Sequence, residues 1–306
     1  MNNNKTELSV SLGEMVLENP IITASGTCGY GEELQDYIDL KKLGAVTVKG
    51  LTVNPTSGNP TPRIAETPSG LLNSIGLENP GIDNFIKNEM EIIRKIDIPV
   101  IANISGHSLE DFNILSRKLD PYPEIAAVEV NVSCPNLEGG GMVFGTDKKL
   151  VEEITAGVKN NFSRTVITKL TPNVTDIGEI AAAAEAGGAD AVSLINTLLG
   201  MKIDIEKKQP VLGNIFGGLS GPAVKPVALA MVYQVYKKVD IPILGMGGIM
   251  KGEDALEFIL AGAAAVEIGT ATLVDPTASV RILKEIKEYL LENDMKKLEK
   301  LRGRAH

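Results

Sequence analysis

Tryptophan is absent from the 306-residue chain, and all aromatic residues together make up 4% of it. A surface that stacks nucleobases needs aromatic side chains, so single-stranded nucleic acid is a poor partner. Only two cysteines occur, Cys28 and Cys134. That excludes a disulfide scaffold and any multi-cysteine zinc or iron–sulfur site within this chain. Histidine is equally scarce, with His107 and His306 alone. A His-rich metal site is thereby excluded, a Ser-His-Asp triad is disfavoured, and no metal site is predicted. Basic residues are outnumbered, 30 against 39 acidic, for a net charge of −9 with no basic block. This too argues against nucleic acid. No apolar run reaches the ~18 residues that suggest a membrane span. The opening Met1-Asn2-Asn3-Asn4-Lys5 has no apolar core of a signal peptide. The expectation is a cytoplasmic protein with reduced thiols and no membrane contact.

Glycine is in excess, 31 residues or about 10% against a usual ~7%. It falls between short β-branched runs and helical stretches. Eight runs read as strands: 21–25, 45–49, 99–104, 126–132, 165–170, 191–196, 242–246 and 265–269. Their near-continuous apolar character suits parallel strands buried on both faces. Leu43-Gly44-Ala45, Gly187-Gly188-Ala189 and Ala261-Gly262-Ala263 each place glycine where a helix should stop. Asp97-Ile98-Pro99 and Asp240-Ile241-Pro242 form a second kind of strand entry, with proline ending the helix.

Helices are expected over 32–43, 81–96, 108–119, 147–161, from Asp176, and over 222–238, 252–261 and 277–292. Leu150, Val151, Ile154 and Val158 share one helical face, as do Ile177, Ile180, Ala181 and Ala184. Eight alternating β and α units predict a single (β/α)₈ TIM-barrel domain spanning 1–306. A doubly wound open sheet is the structural rival. Residues 7–18 predict a hairpin closing the barrel bottom. The connections 50–80 and 197–221 are too long for plain turns and follow strands, which puts both at the C-terminal face, where barrel active sites lie.

The strand ends read Ser25-Gly26, Lys49-Gly50, Asn103, Asn131 through Asn136, Lys169, Asn196-Thr197, Gly247-Gly248 and Gly269-Thr270. A barrel interior favours Val, Ile and Leu, so this polar ring needs a reason. Gly245-Met246-Gly247-Gly248 and Ile268-Gly269-Thr270 end the last two strands, where bare backbone N–H groups commonly hold phosphate. Met250 occupies the third glycine position of G-x-G-x-x-G, so a mononucleotide-sized ligand fits better than a dinucleotide. Lys49 and Lys169 have two competing roles. One is a Schiff base with a carbonyl substrate; the other is a fixed cation beside an anion or electron-rich ring. The neighbouring amides favour the second. Cys134 follows a strand directly, within Asn131-Val132-Ser133-Cys134-Pro135-Asn136. No histidine is near it in sequence, which favours proton abstraction over acyl transfer. Glu138-Gly139-Gly140-Gly141 beyond it is a candidate lid. Cys28 reads as structural. Asn73-Ser74-Ile75-Gly76-Leu77 offers an amide and consecutive N–H groups that can catch a carboxylate.

These segments, with Gly58-Asn59-Pro60-Thr61-Pro62-Arg63 and Gly217-Gly218-Leu219-Ser220-Gly221-Pro222, resemble the catalytic subunit of class 1 dihydroorotate dehydrogenases along nearly the whole chain. Cysteine rather than serine at 134 is similar to the soluble class 1 branch. Asn59 through Thr67 and Ile195-Asn196-Thr197-Leu198 look most like class 1B, which uses NAD⁺. The resemblance implies one FMN per chain, its phosphate held by Gly221, Gly247, Gly248, Gly269 and Thr270. Ser25, Lys49, Gly50, Asn103, Asn131, Lys169 and Ile195 would line its ribityl chain and ring. Dihydroorotate would meet Lys49, Asn73, Ser74, Ile75, Gly76, Leu77, Asn131, Asn136, Asn196 and Thr197. Cys134 would take the C5 proton while the C6 hydride passes to flavin N5, and Lys169 would stabilise the reduced ring. The resemblance further implies a partner subunit carrying FAD and a 2Fe-2S cluster, in a heterotetramer with two copies of each chain. Two enzyme rivals stand beside it: a class 1A enzyme reducing fumarate, and a Schiff-base lysine aldolase.

Overall fold

The computed structural model describes residues 6–133, 135, 136 and 142–306, with the backbone alone at 135, 136, 142 and 143. Eight parallel strands close into a barrel. They are β1 (Ile21–Thr23), β2 (Ala45–Leu51), β3 (Val100–Ile104), β4 (Ile125–Asn131), β5 (Thr165–Lys169), β6 (Ala191–Leu194), β7 (Ile243–Met246) and β8 (Ala265–Ile268). Sequence neighbours pair around the ring, and β8 closes onto β1 through Val266–Ile21 and Ile268–Thr23. The predicted strands are all present, with ends differing by one or two residues. The open-sheet rival is therefore excluded.

Besides a short helix at Thr270–Val274, the helices outside the strands are α1 (Glu32–Gln35), α2 (Ile82–Ile93, with a wide π turn at Phe85–Glu89), α3 (Leu109–Leu119), α4 (Lys148–Asn161), α5 (Ile177–Ala186), α6 (Lys225–Tyr236), α7 (Gly252–Leu260) and α8 (Ala278–Glu292) among the described residues. Side chains set several of their starts. The Asp176 carboxylate accepts from Gly178 N and Glu179 N at 2.9 and 3.2 Å, and Asp147 caps α4 in the same way. These bonds satisfy N–H groups that a helix start leaves unpaired. Val151, Ile154 and Val158 are buried, while Leu150 is half-buried at the edge of the same face.

Two helices differ from expectation. The stretch 32–43 holds only one α turn; Asp39 then accepts from Lys41 N at 3.1 Å and starts a separate 3₁₀ turn at Leu40–Lys42. Within α2, Phe85 and Met90 are both buried although five residues apart, a spacing that the wider π turn brings to one side. The glycine junctions also split into two kinds. Gly188 and Gly262 take positive φ, 88° and 118°, as helix stops. Gly44 does not; it is needed for space, since a Cβ there would lie 2.1 Å from Asn19 O.

The N-terminal hairpin pairs Val10–Leu12 with Met15–Leu17. Thr165 Oγ1, at the start of β5, donates to Leu12 O at 3.3 Å, and Leu12 and Leu17 are fully buried. The hairpin thus closes the bottom of the barrel. At the other end the two long connections join. Their strands build one four-stranded antiparallel sheet in the order Leu198–Met201, Phe216–Ser220, Gly70–Asn73, Ile64–Thr67. Gly218 stands opposite Asn73 in it.

Candidate active site

The glycines after β7 and β8 converge with the end of the second connection. Gly221 and Gly248 have φ of 92° and 76°, and a Cβ on Gly248 would fall 2.7 Å from Gly221 O. A Cβ on Gly221 would fall 2.9 Å from Gly70 Cα and 3.4 Å from Thr270 Cγ2. Thr270 Oγ1 donates to Ser220 Oγ at 2.9 Å. Gly247 packs beside Ile195, and Gly269 precedes a short helix at Thr270–Val274. All five predicted phosphate-site residues therefore meet in one cup. Ser220 belongs to it as well; the sequence signal for it was its place before Gly221.

Lys169 ends β5 and is 4% exposed. Its Nζ donates to Glu129 Oε1 at 3.0 Å and to Ser25 Oγ at 3.1 Å, and lies 3.7 Å from Glu267 Oε2. Burial disfavours the ammonium, but Glu129 and Glu267 outweigh it, so the lysine pKa is raised. Glu129 is wholly buried on β4 and also accepts from Asn103 Nδ2 at 2.6 Å and Ser193 Oγ at 2.9 Å. Burial opposes its ionisation; the Lys169 charge, then hydrogen bonding from Glu267, Lys169 and Asn103, prevails and holds it below its ordinary value. Glu267 on β8 shifts the opposite way, pushed well up by burial and then by Glu129. Neither glutamate nor Ser193 was singled out from the sequence. Each sits mid-strand in an apolar run, and the one available signal was a charged residue where a barrel interior favours aliphatics.

The amides form a second group. Asn196 Nδ2 donates to Asn131 Oδ1 at 3.3 Å and to Ser133 Oγ at 2.9 Å. Asn196 Oδ1 accepts from Thr197 N at 2.8 Å, and Asn173 Nδ2 donates to Thr197 O at 3.1 Å. Asn131 Oδ1 also accepts from Ser133 N at 3.1 Å, shaping the turn that leads to residue 134. Ser133, read from the sequence only as part of the Asn131–Asn136 segment, and Asn173, which sequence reasoning passed over, are further members. Cys134 lies outside the described residues, as do residue 137, the candidate lid at 138–141 and the Asn136 side chain. The backbone at Pro135–Asn136 pairs antiparallel with Met142–Val143. Gly145 N donates to Val132 O at 2.7 Å and closes the base of this segment.

Asn73 reaches the site on the four-stranded sheet, and its Nδ2 donates to Gly218 O at 3.4 Å. The Asn73–Leu77 segment is latched from outside. Ser74 N donates to Arg63 O at 2.7 Å, Asn59 N to Ile75 O at 3.0 Å, and Asn59 Nδ2 to Ser74 O at 3.1 Å. Arg63 Nη1 pairs with Glu78 at 2.7 Å. Gly76 and Leu77 both take positive φ, 77° and 55°. The Ser74 hydroxyl is buried with no partner among the described residues. Leu77 meets Gly50 and Asn103: a Cβ on Gly50 would lie 2.9 Å from Asn103 Oδ1 and 3.5 Å from Leu77 Cδ2. Lys49 is half-buried on β2 beside them. Cys28 is buried in the core. Its thiol is buried against Thr23 Oγ1 and Thr47 O, and desolvation pushes its pKa up to about 11.

This arrangement offers a fixed buried cation, a ring of amides and hydroxyls beside it, and a glycine cup at one rim. No group of three or more potential metal ligands occurs among the described residues. No helix among them is long and apolar enough to cross a membrane. Residues 7–290 match the family Dihydroorotate dehydrogenase. The catalytic subunit of dihydroorotate dehydrogenase B (NAD(+)) from Desulforamulus reducens is 55% identical over 302 residues, covering 99% of each chain. Those of Geotalea daltonii and Geobacter sulfurreducens are 53% and 52% identical over 299 residues, covering 98% of each chain.

Proposed function

The chain belongs to the dihydroorotate dehydrogenase family, and we propose that it is the catalytic subunit of the NAD⁺-linked type, oxidising dihydroorotate to orotate in pyrimidine biosynthesis. The observation that carries this reading is Lys169. A buried ammonium, locked by Glu129 and touching Ser25, suits a site where an electron-rich ring must be stabilised.

The residues fit FMN. In the cup, a Cβ on Gly221 or Gly248 would collide with backbone, so side-chain-free backbone lines it, as a phosphate cradle requires. Gly221, Gly247, Gly248, Gly269 and Thr270 would hold that phosphate. Ser25, Lys49, Gly50, Asn103, Asn131, Lys169 and Ile195 would line the rest of the cofactor. Bound FMN supplies a two-electron acceptor. Asn73, Asn131, Asn136, Asn196 and Thr197 orient the substrate, because an amide offers both donor and acceptor to imide-like ring edges. The backbone of Ser74 through Leu77 receives the carboxylate, with Lys49 close by. Cys134 takes the C5 proton as general base. The candidate lid at Glu138 through Gly141 would exclude water.

An aldolase Schiff base is disfavoured at Lys169, since the Glu129 carboxylate at 3.0 Å keeps it protonated and an amine nucleophile must be neutral. Transfer to NAD⁺ requires an electron-transfer subunit with FAD and a 2Fe-2S cluster; this chain has only two cysteines and cannot hold such a cluster. Two copies of each chain form the assembly. Exposed Leu199, Met201 and Phe216 on the four-stranded sheet support a subunit contact there.

The test is anaerobic visible absorbance of the purified chain before and after dihydroorotate. A flavin band that bleaches is the expected result. No band, even after added FMN, would overturn the flavin reading.

A further inference from the structure

Glu267 has no part in the chemistry just described, yet it lies inside the barrel, 1% exposed. It faces Lys169 of β5 and Glu129 of β4, and these are the charged groups that act on it among the described residues. Hydrogen bonding separates the two glutamates. Glu129 accepts from Lys169 Nζ, Asn103 Nδ2 and Ser193 Oγ at 3.0, 2.6 and 2.9 Å. Among the described residues Glu267 accepts from none, and Lys169 Nζ at 3.7 Å is too far for a hydrogen bond. A carboxylate removed from water without donors is a costly state. A proton on Glu267 removes that charge and creates a donor next to an acceptor, Glu129. Charge counting agrees. One ammonium balances one carboxylate, so Lys169⁺, Glu129⁻ and neutral Glu267 leave no net charge in a dry interior.

We propose that Glu267 is a neutral carboxylic acid at neutral pH, hydrogen-bonded to Glu129, and that it acts as a positioning residue for Lys169. With Glu267 neutral, Glu129 is the sole counter-ion of the ammonium. Lys169 then keeps attraction to spare for an anionic group near Ser25 at the barrel mouth. Burial and the Glu129 carboxylate push the Glu267 pKa in the same direction. The consequence for the cofactor rests on the FMN reading above. Ionised Glu267 would add a negative charge 3.7 Å from the Lys169 ammonium and would lower the midpoint potential of FMN held beside that lysine.

Infrared difference spectroscopy tests the protonation without any cofactor. Wild type minus Glu267→Gln is expected to show the carbonyl stretch of a protonated carboxylic acid at neutral pH. In Glu129→Gln the same band is expected to vanish, because Glu267 becomes the only counter-ion of Lys169 and ionises. Absence of the band in wild type, or its survival in Glu267→Gln, overturns the proposal. The positioning role is read from the midpoint potential of bound FMN against pH. Wild type should fall more steeply once the acid band disappears, and Glu267→Gln should not show the added slope. Identical slopes overturn that role. A chain that binds no FMN defeats the functional reading above, while the infrared result still decides the state of Glu267.

Discussion

Lys169 Nζ lies 3.0 Å from Glu129 Oε1, and the two side chains are 5% and 0% exposed. Removing the cation therefore leaves a buried carboxylate without its counter-charge. Lys169→Met is expected to cost about 3–5 kcal/mol of stability, the usual scale for breaking a buried pair from one side. Chemical denaturation of wild type and variant measures it. A loss near zero would mean that Glu129 is not ionised in the folded chain.

The two glutamates shift in opposite directions, and each leaves its own mark on stability against pH. Glu267 is raised above the ordinary value of 4.5. Between that value and its folded pKa, the folded chain binds more protons than the unfolded one. Stability contributed by the group is full below 4.5 and is lost as pH rises through the folded pKa. Glu129 is lowered, so its contribution is present above its ordinary value and is lost as pH falls through the folded pKa. Glu267→Gln should gain on wild type with rising pH, by up to ~1.4 kcal/mol for each pH unit. Denaturation midpoints at several pH values decide this, and parallel curves would contradict it.

Cys134→Ala is expected to keep FMN but to slow turnover by roughly 10²–10⁴, the scale for loss of a general base. Flavin absorbance and steady-state rates with dihydroorotate separate the two effects. Near-normal turnover would remove Cys134 from the mechanism.

Gly248→Ala places a Cβ 2.7 Å from Gly221 O at a φ of 76°. The left-handed conformation alone costs about 1–2 kcal/mol for a residue with a Cβ. FMN binding should weaken by about tenfold or more, while circular dichroism stays that of a folded barrel. Unchanged FMN affinity would move the phosphate elsewhere.

The lone chain is expected to reduce its FMN with dihydroorotate and to reduce NAD⁺ poorly. Robust NAD⁺ reduction by the pure chain would refute the need for a second subunit. Rapid turnover with fumarate would instead favour the class 1A rival.

Much of the architecture is written locally. Alternating apolar runs, Asp176 and Asp147 as caps, and glycine stops at Gly188 and Gly262 act over a few residues, so they can be read along the chain. The strand-end ring was legible for the same reason: polar residues stand out after an apolar run. Gly248 and Thr270 could be proposed as one cup from barrel geometry, because loops after the last two strands share a rim, whereas Gly221, at the end of the connection after β6, was implied only by the family resemblance.

Other features depend on distance in space. Pairing of the two long connections into one sheet joins Asn73 to Gly218, 145 residues away in sequence. No local pattern specifies such a partner. The π turn in α2 answers to what Phe85 and Met90 pack against, not to propensity. The clearest case is the barrel interior. A glutamate at 129 or 267 is, in sequence, one charged residue in a strand. Only closure of the barrel brings both to Lys169, removes water from all three, and so decides which carboxyl is ionised and which holds a proton.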